Sequence, residues 1–175
     1  LRPTITTAGE KWKVIYGLDL NFDFPLQDKI FKVVPVVHAE YSLLNDMFIP
    51  YAGITGGIKQ QSLREITRVN EFVIPQVHLV NEKTPYSISG GIKGSLSNSI
   101  SFNTSFEFCR INDKLLFTLD SSNIISQEYP SKYTLHYDSL TRTKIEGSIS
   151  YQMSEKLKLD GIGRFYSYEL LNNTY

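Results

Sequence analysis

Apolar and polar residues alternate with period two along most of this chain. In the first segment Trp12, Val14, Tyr16, Leu18, Leu20, Phe22 and Phe24 hold one parity. Lys11, Lys13, Gly17, Asp19, Asn21 and Asp23 hold the other, with Ile15 the exception. Successive side chains of a strand point to opposite faces, so this pattern predicts a two-sided sheet segment. A second segment sets Phe31, Val33, Val37, Ala39, Tyr41 and Leu43 against Lys32, His38, Glu40 and Ser42. A third, from Met47 to Lys59, alternates less cleanly. The fourth sets Tyr86, Ile88, Ile92 and Leu96 against Ser87, Ser89, Lys93 and Ser95. The fifth sets Ile100, Phe102, Phe106 and Phe108 against Ser101, Asn103, Ser105 and Glu107. Its apolar parity switches before Leu115, Phe117 and Leu119, which predicts a bulge near Asn112. The sixth keeps one parity from Tyr133 through Ile145 to Met153, and the seventh runs from Leu157 to Phe165.

The joints between these segments alternate too. Tight turns are expected at Asn45-Asp46, Ser97-Asn98 and Ser154-Glu155. Longer connections are expected at about Pro25–Lys29, Gln60–Thr84 and Asp120–Ser131. One short end and one long end is the rhythm of an outer-membrane barrel. Segment length points the same way. Strands of soluble sheets run to about 5–6 residues, whereas a membrane-crossing strand needs about 9–11. Several segments here reach about 13 or 14, roughly 46 Å at about 3.3 Å per residue. The fold class expected is therefore all-β, an antiparallel up-and-down meander of about seven long strands, part of a transmembrane β-barrel. Residues 1–175 are read as one partial barrel with no plug domain, a fragment or processed piece.

Periodicity alone leaves open which face meets lipid. Strand length and aromatic placement favour a polar lumen. Tyr41, Phe48, Phe102 and Tyr151 sit near the tight turns, and Phe22, Phe24, Tyr86, Tyr133 and Phe165 near the long loops. Two such bands fit interfacial girdles, although aromatics are enriched in every sheet. Pro35 and the glycines Gly53, Gly56, Gly57, Gly90 and Gly91 interrupt the pattern. Proline prefers edges or bulges, and a strand glycine marks a kink or a close backbone approach.

Composition removes several classes of function. The 18 Lys and Arg balance the 18 Asp and Glu, so no bulk attraction draws nucleic acid. No apolar run approaches the roughly 18 residues of a membrane helix. The single cysteine, Cys109, cannot close an internal disulfide. His38, His78 and His136 stand apart in sequence, none at metal-ligand spacing. No catalytic motif, metal motif or cofactor loop is present, and the chain is read as a non-enzyme.

The longest connection carries the one local helix signal. Ser62-Leu63-Arg64-Glu65 matches a capping box, and Leu63, Ile66 and Val69 follow at spacing three. The stretch from Phe72 to Val80 is apolar enough to pair as an extra hairpin arm. Loops beyond about 12–15 residues are usually functional or disordered. Arg64, Arg68, Phe72 and His78 are its candidate ligand-facing residues.

Two stretches carry a family resemblance. One is Leu44-Asn45-Asp46-Met47-Phe48-Ile49-Pro50-Tyr51-Ala52-Gly53-Ile54-Thr55-Gly56-Gly57, continuing as Lys59-Gln60-Gln61-Ser62-Leu63-Arg64. The other is Tyr151-Gln152-Met153-Ser154-Glu155-Lys156-Leu157, followed by Phe165-Tyr166-Ser167-Tyr168. In their turns and aromatics these resemble the barrel portion of TonB-dependent outer-membrane receptors. That resemblance implies a Gram-negative outer membrane, ligand uptake, and outer-membrane lipid around the apolar face. It also implies partners outside this sequence: the remaining strands of a barrel of about 22, a plug, and a TonB-type energy-coupling protein reached through the plug. A non-transporting outer-membrane barrel, structural or adhesive, shares the same strand physics. A soluble β-barrel or sandwich that binds a ligand is the reading from another class.

Overall fold

The structure is a computed structural model that describes residues 1–23, 30–74, 78–119, 132–155 and 157–171. It contains β1 (Thr4–Ala8), β2 (Trp12–Asp23), β3 (Ile30–Tyr41), β4 (Ile49–Lys59), α1 (Leu63–Val69), β5 (Glu82–Ser97), β6 (Ile100–Leu119), β7 (Tyr133–Ser154) and β8 (Leu157–Leu170). The strands form one antiparallel sheet in the order β1-β2-β3-β4-β5-β6-β7-β8. The seven expected segments are β2 to β8. The eighth strand is β1, whose Thr4–Ala8 pair with Lys13–Gly17.

The connections keep their asymmetry. β1 turns into β2 over residues 9–11, where Gly9 N–H donates to the Trp12 carbonyl at 2.8 Å. The β3–β4 turn is closed by the Leu43–Phe48 bridge and by Met47 N–H donating to the Leu44 carbonyl at 3.3 Å. Asn45 and Asp46 have φ of 56° and 66°. Positive φ at both central residues is the requirement of a type I′ hairpin turn. The β5–β6 turn lies one residue later than expected: Ser97 pairs with Ile100, and Asn98-Ser99 span the gap. Ser97 Oγ accepts from the N–H groups of Ser99 at 3.2 Å and Ile100 at 3.1 Å, which closes the turn from within. β7 and β8 join between the partners Ser154 and Leu157. At the opposite end lie residues 60–74 and 78–81. The connections expected near 25–29 and 120–131 fall outside the described residues.

The parity switch in β6 is resolved as a bulge. Ile111 pairs with Leu140 and Lys114 with Asp138, so Asn112-Asp113 are opposed by Ser139 alone. Asp113 sits at φ 57°. The extra residue returns Leu115, Phe117 and Leu119 to the face of Phe106 and Phe108, opposite Tyr137, Leu135 and Tyr133. Two reciprocal ion pairs hold this bulge to the start of β5. Lys83 Nζ lies 3.1 Å from Asp113 Oδ2, and Lys114 Nζ lies 3.0 Å from Glu82 Oε2. Glu82 is buried. Lys114→Met strands that carboxylate and is expected to cost about 2 kcal/mol. That is below the roughly 3–5 kcal/mol of a fully buried pair, because Lys114 keeps 35% of its side chain in water. Chemical unfolding in detergent checks this; adding Glu82→Gln recovers most of the loss, since the orphan charge is gone.

Pro35 also has a physical account. Leu18 donates its N–H to the Pro3 carbonyl, away from β3. Its partner Pro35 therefore occupies a non-hydrogen-bonded site, with its nitrogen toward β4. The β3–β4 ladder runs only from Val37 to Glu40. The missing proline N–H falls beyond the end of that ladder and costs no bond.

Burial across the sheet is inverted relative to a soluble protein. The buried strand residues Val34, Val36, Ser87, Cys109, Ile111, Asp138 and Leu140 all share the parity of the charged residues. The apolar parity is the exposed one: Trp12, Val37, Ile88, Phe106, Ile145 and Phe165 each keep 41–61% of their surface. The sheet therefore curls toward its polar face, whose side chains shield one another, and turns its apolar face outward. Alternation is symmetric between the two faces, and burial distinguishes them: the apolar face is the outward one.

Candidate functional site

The inner face is a lattice of ion pairs built by strand register. On β3, β4 and β5, Glu40 and Tyr51 are cross-strand partners. Lys93 Nζ lies 2.7 Å from Glu40 Oε2, and it sits over the Tyr51 ring at 5.8 Å from the centroid. Tyr51 Oη donates to Asn103 Oδ1 at 2.9 Å on β6. The tyrosine needs space to lie across the sheet, and its partner Gly91 supplies it. A Cβ on Gly91 would stand 2.7 Å from the Tyr51 hydroxyl. Gly56 is equally constrained, since a Cβ there would meet Val34 Cγ1 at 2.8 Å and the Pro85 carbonyl at 2.9 Å.

A second group lies on β6, β7 and β8. Arg142 Nη2 donates to Glu107 Oε1 at 2.7 Å, and Ser87 Oγ donates to the same oxygen at 3.2 Å. Lys144 and Arg164 both reach Glu146 Oε2, at 2.8 Å and 2.7 Å. Lys158 pairs with Asp160 at 3.1 Å nearer the tight turn. Opposite charges alternate within reach of one another, so no sign of ligand charge is favoured over the lattice as a whole. Cys109 is fully buried opposite Arg142 and is the one free thiol. Among the described residues no three His, Cys, Asp or Glu side chains converge as metal ligands.

The long connection packs onto the projecting ends of β6 and β7. Ser62 caps α1, its Oγ accepting from Glu65 N–H at 3.3 Å, which is the first bond of the expected capping box. Ile66 is buried beneath the helix. Val73 then makes a parallel bridge to Tyr133, with Tyr133 N–H donating to the Phe72 carbonyl at 2.9 Å and Ile74 N–H to the Tyr133 carbonyl at 3.0 Å. This is not the expected hairpin arm: the described pairing of the stretch from Phe72 is one parallel bridge to β7. Tyr137 Oη donates to the His78 carbonyl at 3.0 Å and accepts from Val80 N–H at 3.3 Å. Of the expected ligand-facing residues, Arg64 and Arg68 are exposed on α1, and Phe72 and His78 are exposed where the loop crosses β7. All four lie at the long-connection end. Among the described contacts their side chains do not converge on one point.

With this geometry in view, comparison with known proteins is informative at the level of fold. No family model and no curated protein sequence matches the chain. Among solved structures, the chain is similar to copper transporter OprC at a TM-score of 0.62 over 93% of its residues, with 16% identity. The chain shares the fold of a β-barrel transporter. It spans only 27% of that protein's length. At 16% identity the likeness is one of fold rather than of shared side chains.

Proposed function

We propose that this chain is a segment of an outer-membrane receptor or transporter barrel of the TonB-dependent kind, working in uptake of a ligand across the outer membrane. The observation that carries this reading is the inverted burial: charged ladders turned inward and apolar side chains turned outward along strands of up to 22 residues. In this reading the outward face meets lipid. The missing remainder of the barrel continues from the open edges of β1 and β8, and a plug occupies the lumen and links it to a TonB-type protein. The tight turns at residues 9–11, 44–47 and 98–99 face the periplasm, and residues 60–81 face the outside. The likeness to a copper transporter supports transport as the class of activity.

Sidedness provides the test. Cys109 is only 1% exposed, so it gives little background to thiol labelling. In intact cells a membrane-impermeant maleimide should modify Arg64→Cys and leave Ser99→Cys untouched until the outer membrane is opened. Labelling of Ser99→Cys alone in intact cells reverses the orientation, and recovery of both in the soluble fraction removes the membrane reading. A plug domain in the complete reading frame separates transport from a structural or adhesive barrel.

A further inference from the structure

Beside α1 lies an open cavity of about 340 Å3. Its apolar wall is Ile66 from the helix, with Leu115 and Phe117 from β6 beyond the bulge, and Val69 stands at its exposed rim. Its polar wall contains Lys59, Arg68, Lys114, Glu65 and Glu82. Lys114 and Glu82 neutralise each other at 3.0 Å. Among the described residues, neither Lys59 nor Arg68 has an anionic partner within 4 Å, and Glu65 uses only its backbone N–H, in the helix cap. Among the described residues the cavity thus offers an apolar floor and two cations against one carboxylate, all outside any ion pair.

From this arrangement we infer that the α1–β6 cavity binds a small apolar monocarboxylate. Charge selects the ligand: one carboxylate satisfies the two free cations, whereas a dianion meets Glu65. Size selects it as well, because the volume sits at the small end of the roughly 300–1,000 Å3 typical of ligand pockets. Leu115 and Phe117 take an aryl or short alkyl body. The cations come from different elements, Lys59 from the end of β4 and Arg68 from α1, so an occupant also ties the helix to the sheet. This inference concerns the loop and the strand ends alone. It stands whether or not the barrel transports anything.

The probe is 4-fluorobenzoate, followed by 19F line broadening against the whole chain in detergent, with protein-free micelles as reference. Saturable broadening is expected, at least tenfold weaker for the neutral isostere 4-fluorobenzyl alcohol. Arg68→Gln and Lys59→Gln should each weaken binding about tenfold, the scale of one charge-assisted hydrogen bond. Arg2→Gln lies outside the cavity wall and should leave it unchanged. Both tested positions are exposed, so the variants should retain the fold. Absence of saturation, equal affinity for the alcohol, or indifference to both substitutions overturns the assignment.

Discussion

Phe106→Arg should destabilise the chain in lipid vesicles by about 2–4 kcal/mol, the cost of a cation on the lipid face of a barrel near mid-depth. Ser105→Arg, one residue earlier, should change stability by less than about 1 kcal/mol. The two positions are adjacent on β6 and point to opposite faces. Phe106 lies between two aromatic contacts, Phe48 with Phe102 at 5.8 Å and Tyr86 with Phe108 at 6.4 Å. Phe106 lies on the outward face in register with Ile145 and, through it, with Phe165, so its surroundings on three strands are apolar. Ser105 is paired with Glu146 in the inner lattice, where an added cation meets a carboxylate already serving Lys144 and Arg164. The difference between the variants is the informative quantity, because it cancels whatever the substitution does to the unfolded chain. A soluble reading makes the opposite prediction. In water Phe106 is 47% exposed, and replacing it by arginine would be neutral or favourable. Equal behaviour of the two variants in vesicles would remove the lipid-facing assignment.

Much of this architecture was legible in the sequence because side-chain parity is a local property. The switch between Phe108 and Leu115 required an odd insertion, and Asn112-Asp113 supply it. The glycine interruptions of β4 and β5 had a local sign but not a local cause. Gly91 yields to the Tyr51 ring and Gly56 to Val34, contacts that exist only once the strands are in register. β1 was not legible. Thr4-Ile5-Thr6-Thr7-Ala8 has one large apolar residue and no stripe to bury, and its strand state comes from the ladder that β2 offers. The β5–β6 turn slipped by one because four of residues 95–101 are serine, which carries no parity. Pairing of Ser97 with Ile100 decides it.

The candidate site was less legible than the fold, for a related reason. Arg64 and Arg68 could be placed on a helix from the capping signal. What that helix rests on is set by pairing of Val73 with Tyr133, 60 residues apart in sequence. Lys59, Lys114 and Phe117 join Arg68 around one cavity only through that long-range docking. No periodicity within the loop could have named them. The outward direction of the apolar face was similarly hidden, because alternation is symmetric between faces and only the sense of curvature breaks the symmetry.

Without detergent the chain should associate into polydisperse particles, and detergent should disperse it. Two surfaces drive this, and their magnitudes differ. The open edge of β8 presents the unpaired backbone groups of a 14-residue strand. Each hydrogen bond made there contributes about 0.5–1.5 kcal/mol net, over about seven sites. The outward face holds Trp12, Tyr16, Leu18, Ile88, Ile92, Phe106, Ile145, Ile149 and Phe165, all about half exposed. Burying a large apolar side chain contributes about 1.5–3 kcal/mol, so half-burial of these alone rivals the whole edge. Continuous apolar surface of this kind exceeds what soluble monomers tolerate. Face association should therefore dominate. Blocking the edge with Ile162→Pro or Tyr166→Pro, whose N–H groups point away from β7, should leave the particles in place, while detergent at micellar concentration disperses them even in the natural chain. Sedimentation velocity with and without detergent distinguishes the two contributions. Dispersal by the edge substitutions alone would mean the outward face is not sticky. A single monomeric species with cooperative unfolding in plain buffer would end the membrane assignment.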